Sequence, residues 1–323
     1  MILAGIDIGT NSLRLLIAET GPDLFRELYS ARRTTRLGKE LTCTGRLSPE
    51  SMDLSFSALS EFSVHMSRFS VCRVSAIGTS ALRNARNARE FIAEARRRIG
   101  IDINVISGEE EARLTLLGVR CALGQKGLDA DLLGSALVFD IGGGSTEFML
   151  TGGQGGPFVQ SLPLGAVYLA ERFVAADPPA EDEIAALRQF IQAELGHAEK
   201  CGQTLSRALK SRPAGLIGTA GTITTLAAMD QGMTCYDPAR INGSVLTRSA
   251  IDRIVQTLAG SSLSRRRTLV GLEPGREDII FPGAVIAQEI MERYTYGEML
   301  VSDWGLREGI VADLSQKELK KRQ

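Results

Sequence analysis

Histidine is almost missing from this chain of 323 residues: only His65 and His197 occur, far apart in sequence. That scarcity argues against a histidine-rich metal centre and against a Ser-His-Asp triad. The five cysteines, an odd number without any C-x-x-C spacing, argue against a disulfide framework or a zinc knuckle. A formal net charge of −1 argues against a surface given over to nucleic acid, so no nucleic-acid partner is expected. The N-terminal stretch has no basic n-region, and Asp7 and Arg14 interrupt it before it could act as a signal or membrane span. A cytoplasmic protein without a membrane partner is therefore expected. Chemistry must run on carboxylates, hydroxyls, arginines and backbone amides. With 44% hydrophobic and 23% charged residues, the chain reads as an ordinary globular protein, long enough for two domains with a core each.

What is present, and twice, is a pair of segments. Asp7, Ile8, Gly9 and Ser12 recur as Asp140, Ile141, Gly142 and Ser145, at an offset of 133. Ile77-Gly-Thr-Ser-Ala81 recurs as Ile217-Gly-Thr-Ala-Gly221, in the same order at an offset of 140. Each half therefore opens with a strand ending in an Asp, a Gly-rich turn and a second strand, which is a β-hairpin. In the first half the pattern predicts strands over 13–19, 27–35, 73–77 and 101–106, and helices over 49–69, 80–98 and 109–123. In the second it predicts strands over 136–139, 147–150, 157–163, 215–217 and 298–301. Helices are expected over 165–175, 180–209, 248–259 and 281–293, with one after the 218–222 turn and a closing one from Leu306. Hairpins followed by alternating helices and strands imply an α/β fold, a mixed sheet covered by helices and built twice. Glycine permits close approach and exposed amides bind anions, so two such turns facing each other across an interdomain cleft could grip one phosphate chain.

The segments GIDIGTNSLRLLI from Gly5, GTSALRNARN from Gly78, ISGEEEARL from Ile106, FDIGGGSTEF from Phe139, LPLGAV from Leu162, IGTAGTITTLAA from Ile217 and SDWGLREGI from Ser302 carry a resemblance across nearly the whole chain. The sequence resembles the exopolyphosphatase and guanosine pentaphosphate phosphohydrolase family, in its short two-domain form. The resemblance implies a duplicated ribonuclease H-like fold of the actin, Hsp70 and sugar kinase superfamily, with the site in the interdomain cleft. The domains expected are residues 1–125, with 306–323 packing back on them, and residues 126–305. It further implies a Mg2+-dependent hydrolase, polyphosphate or pppGpp as substrate, and a homodimer.

Phosphoanhydride hydrolysis requires positioning of the phosphoryl group, screening of its charge and orientation of a water. By the family motif Glu111 resembles the catalytic base, with Glu110 the next candidate. Acidic residues at a helix start also complement its positive end, so the local pattern alone leaves both open. Magnesium prefers oxygen ligands, and Asp7, Asp140 and Glu147 fit. Candidate phosphate-binding residues are Gly9, Thr10, Asn11, Ser12, Arg14 and Arg83 in the first half. Those in the second are Gly142, Gly143, Gly144, Ser145, Thr146, Gly218 and Thr219. A superfamily kinase and an actin-like ATPase are the rival classes. The sequence shows neither an Asp placed to activate a substrate hydroxyl nor a substrate-peptide domain.

Overall fold

A computed structural model describes residues 1–22, 24–125, 135–151, 158–201 and 213–321. The chain divides into two compact units, one of Met1–Gly118 with Gly305–Gln323 and one of Val119–Trp304.

The first unit is built on a five-stranded sheet in the order β3-β2-β1-β4-β5. Its strands are β1 (Ile2–Ile8), β2 (Ser12–Thr20), β3 (Phe25–Thr34), β4 (Arg73–Gly78) and β5 (Ile103–Val105). β1 pairs antiparallel with β2 and parallel with β4, and β4 pairs parallel with β5. Side chains alternate across the sheet. Ile6, Ile8, Leu13, Leu15 and Ile17 join Phe56, Leu59, Phe62 and Phe91, from the helices Pro49–Arg68 and Ala88–Ile99, in one core. Leu3, Leu16 and Ala18 turn the other way and pack on Val311 of the closing helix Leu306–Lys320. Gly5 makes that approach feasible: a Cβ there would lie 2.8 Å from Val311 Cγ2 and 3.2 Å from the Arg307 carbonyl.

The second unit repeats the plan with a six-stranded sheet, β10-β11-β9-β6-β7-β8. The strands are β6 (Ala136–Ile141), β7 (Thr146–Leu150), β8 (Phe158–Leu162), β9 (Gly215–Thr219), β10 (Val245–Thr247) and β11 (Glu298–Val301). The antiparallel β6-β7 and β7-β8 pairs and the parallel β6-β9 pair match those of β1, β2, β3 and β4. Every residue of β6 is buried, as a central strand covered on both faces requires. Leu137, Phe139, Ile141 and Phe148 share one core with Ile223 and Leu226 of the helix Ala220–Asp230 and Phe281 and Ile290 of the helix Ile280–Arg293.

Two departures from the sequence reading have local causes. The helix expected over 80–98 is two, Ser80–Asn84 and Ala88–Ile99. Ala85 is extended, and the buried Asn87 carboxamide accepts the Leu47 N–H at 2.8 Å and donates to the Leu47 carbonyl at 3.1 Å. β10 and the one-turn helices Leu41–Thr44, Pro238–Ile241 and Leu263–Arg266 are too short to carry a periodic signal. The helix expected over 180–209 is described as Glu181–Cys201, and its remainder lies outside the described residues, as does Pro157. Among the described residues, no helix is long and apolar enough to cross a membrane.

Candidate active site

In each unit the candidate groups gather where the parallel strands end, the customary ligand site of α/β sheets. In the first unit the hairpin turn closes with the Gly9 N–H on the Ser12 carbonyl at 3.1 Å. Among the described residues the Thr10 and Asn11 amides at its tip donate to nothing, and the Asn11 carboxamide nitrogen, in a residue 9% exposed, is buried without a partner. Thr79, just past β4, donates its N–H to the Ile8 carbonyl at 3.2 Å. It thereby fixes the short helix Ser80–Asn84 beside the turn and aims Arg83. The Arg83 guanidinium donates to the Ile106 carbonyl at 2.8 Å and to Glu111 Oε2 at 3.1 Å.

Glu111 opens the helix Gly108–Gln125, which Ser107 caps by accepting the Glu110 N–H at 3.2 Å on its hydroxyl. The three consecutive glutamates of that first turn have different surroundings. Glu109 is held below the usual carboxylate range by its own backbone N–H and the Ser107 hydroxyl. Glu110 faces outward, where Arg113 grips both its oxygens at 2.7 and 2.8 Å and lowers its pKa. Arg113 extends this surface network to Asp313 at 2.8 Å. Glu111 turns inward, 8% exposed, with Arg83 on Oε2. Glu110 thus lies away from Arg83, while Glu111 shares the strand-end region with the Gly9–Ser12 turn.

Asp7 and Arg14 stand directly opposite each other in the β1-β2 pair, and Arg14 stands opposite Arg32 in β2-β3. This row lies on the face that carries the closing helix, so Arg307 and Glu308 also act on Asp7. Burial raises the Asp7 pKa to about 6 against the opposing effect of Arg14 and then Arg307. The sequence reading gave Arg307 and Glu308 no role. Only the return of the closing helix brings them to β1, with the Glu308 carboxylate accepting the Gly305 N–H at 2.9 Å.

The second unit repeats the turn, with the Gly142 N–H on the Ser145 carbonyl at 2.9 Å. The first amides of the helix Ala166–Phe173 take up the Gly142 and Gly143 carbonyls. Among the described residues the Gly143 and Gly144 N–H groups donate to nothing, and successive exposed amides of this kind can bind an anion. Gly165 is required beneath it, because a Cβ there would lie 2.3 Å from the Gly143 carbonyl oxygen. The other candidates of this unit have contacts within it. The Thr146 hydroxyl bonds the Leu164 carbonyl, and that of Thr219 bonds the Trp304 carbonyl at 3.0 Å. Gly218 packs beneath Met299 and Ile223.

Where the first copy sets Arg14 against its aspartate, the second sets a glutamate: Asp140 and Glu147 are direct partners in β6-β7. Both are buried, at 7% and 1% exposure. Glu147 Oε1 accepts the hydroxyls of Ser145 at 2.7 Å and Ser161 at 2.8 Å. Two buried carboxylates directly opposite on one sheet face repel each other, and a hard divalent cation would offset that repulsion. Their oxygens fit Mg2+, which needs only one or two protein carboxylates. No group of three or more His, Cys, Asp or Glu side chains is placed to hold a metal among the described residues. Asp7, facing Arg14, lacks the acidic cross-strand partner that Asp140 has.

Known proteins share this fold. The profile of the Ppx/GppA phosphatase family matches residues 16–318. Exopolyphosphatase 2 of Mycobacterium tuberculosis is 34% identical over 330 residues, covering 97% of this chain and 98% of that one. The crystal structure of the Aquifex aeolicus Ppx/GppA family member aligns with a TM-score of 0.77 at 33% identity, covering 100% of this chain and 99% of that one. An exopolyphosphatase structure from Cytophaga hutchinsonii aligns at 0.87 with 28% identity, covering 98% of both chains. This chain is a member of the Ppx/GppA phosphatase family.

Proposed function

We propose that this chain is an exopolyphosphatase that removes the terminal phosphate of inorganic polyphosphate by attack of a water that Glu111 deprotonates. The observation that carries the reading is the inward-facing Glu111, buried at a helix start and held by Arg83 beside a turn with undonated amides. The naming of a relative 34% identical over nearly its full length as an exopolyphosphatase supports it.

The roles follow from the chemistry. Amides of the first hairpin turn bind non-bridging phosphate oxygens, and Arg14 adds charge there; the second turn offers amides of the same kind within its own unit. Arg83 fixes the orientation of Glu111, whose carboxylate takes the proton from water. A positioned base of this kind contributes roughly 10²- to 10⁴-fold. Asp140 and Glu147 would hold Mg2+, which when bound screens the charge on the phosphates and leaving group.

The test is phosphate release in the presence of Mg2+ from long-chain polyphosphate, pppGpp and ATP, each at equal phosphate concentration. Release chiefly from polyphosphate is expected. Preference for pppGpp would transfer the same site to that substrate, and release from ATP alone would contradict the proposal.

A further inference from the structure

The segment that follows β3 wraps the first hairpin turn. The Thr35 and Arg36 N–H groups both donate to the Asn11 carbonyl, at 3.2 and 2.9 Å, and the Gly38 N–H donates to the Thr10 carbonyl at 2.8 Å. The contact is close enough that a Cβ on Gly38 would lie 2.2 Å from Thr10 Cγ2. Arg36 has a left-handed backbone, φ 49°, rare for a non-glycine residue. It is held there from both sides, since its carbonyl also accepts the Ser51 hydroxyl at 2.9 Å. Strain fixed in this way beside a candidate ligand site points to a requirement on position.

Within that wrap lie two buried polar atoms without partners, the Thr35 hydroxyl, in a residue 2% exposed, and the Asn11 carboxamide nitrogen. Leaving a buried donor unpaired costs stability, and well-formed proteins leave few. Both atoms are donors, and the pair contains no carboxylate. The matching ligand is therefore rich in acceptor oxygens, and the undonated Thr10 and Asn11 amides of the same turn suit an anion. We propose that Thr35 and Asn11 form a second phosphate subsite, which takes the internal phosphate next to the one cleaved and makes Thr35 a specificity residue for chains over single phosphates. This rests on the exopolyphosphatase reading.

The test pairs binding with stability in Thr35→Val, which keeps the shape of the side chain and removes the hydroxyl. Tripolyphosphate and inorganic phosphate are titrated by calorimetry into the Glu111→Gln protein, in the presence of Mg2+, with and without Thr35→Val. The subsite predicts roughly tenfold weaker tripolyphosphate binding, the worth of one charge-assisted hydrogen bond, with phosphate affinity unchanged. It also predicts a thermal midpoint about 1–4 °C higher, because the unpaired hydroxyl is gone. A more stable protein that binds the chain less well cannot be explained by misfolding. Equal tripolyphosphate affinity with and without the hydroxyl would overturn the subsite alone, as would a lowered midpoint with unchanged affinity, the signature of a purely structural hydroxyl. If the protein with Thr35 intact failed to bind tripolyphosphate at all, the subsite and the polyphosphate reading would fall together.

Discussion

Asp7 shows how one side chain reports its surroundings. Burial holds its pKa near 6 in the folded chain, against an ordinary 3.8, so the folded state binds a proton that the unfolded state releases. The stability this proton contributes is fully present below about pH 4 and is lost as the pH rises through about 6. Asp7→Asn should therefore match the parent at pH 4 and exceed it at pH 7.5 by about 1–3 kcal/mol in urea unfolding with chelator present. A difference independent of pH would show that Asp7 is ionised throughout. The contrast with the second copy is instructive: the same register position that holds Arg14 in one hairpin holds Glu147 in the other. The repeat was legible in the sequence, but this divergence matters only once strand pairing shows that each residue faces its aspartate. Likewise Glu110 and Glu111 are neighbours in a helix turn, and sequence left both open. They point in directions about 100° apart, which follows from 3.6 residues per turn, and only Arg83 and Arg113 show which of them faces inward.

At the scale of elements, the helices Gly108–Gln125 and Leu306–Lys320 meet almost backbone to backbone. A Cβ on Gly309 would lie 1.8 Å from the Leu114 carbonyl oxygen, and one on Gly118 would lie 2.0 Å from that of Gly305. Gly309→Ala should therefore cost about 2–4 kcal/mol in denaturant unfolding, since neither backbone can yield cheaply. Gly124→Ala, in the same long helix but with nothing within 4 Å, should be neutral or stabilising by about 1 kcal/mol. Similar costs for both would mean that the close crossing is absent. Periodicity located the long helices and the hairpin strands because their apolar positions follow a buried face. It missed the break between Asn84 and Ala88, because the cause is a tertiary clamp of Asn87 on Leu47 rather than any local breaker.

Across the whole molecule, both sheets end their parallel strands at a hairpin turn with undonated amides, and in the second two buried carboxylates stand directly opposite each other. Mg2+ should accordingly raise the thermal midpoint of the parent, as any ligand that binds only the folded state does, while Asp140→Asn should lose most of that rise. An undiminished response in Asp140→Asn would remove it as a ligand. Chelation with excess EDTA should abolish phosphate release, and added Mg2+ should restore it. The most direct measurement is turnover of long-chain polyphosphate by Glu111→Gln beside Glu110→Gln, with substrate binding followed in parallel. Glu111→Gln should lose at least 10²-fold in kcat with binding retained, and Glu110→Gln should keep near-parental turnover. Full turnover by Glu111→Gln, or its equal loss in both variants, would contradict the role of Glu111 as the base.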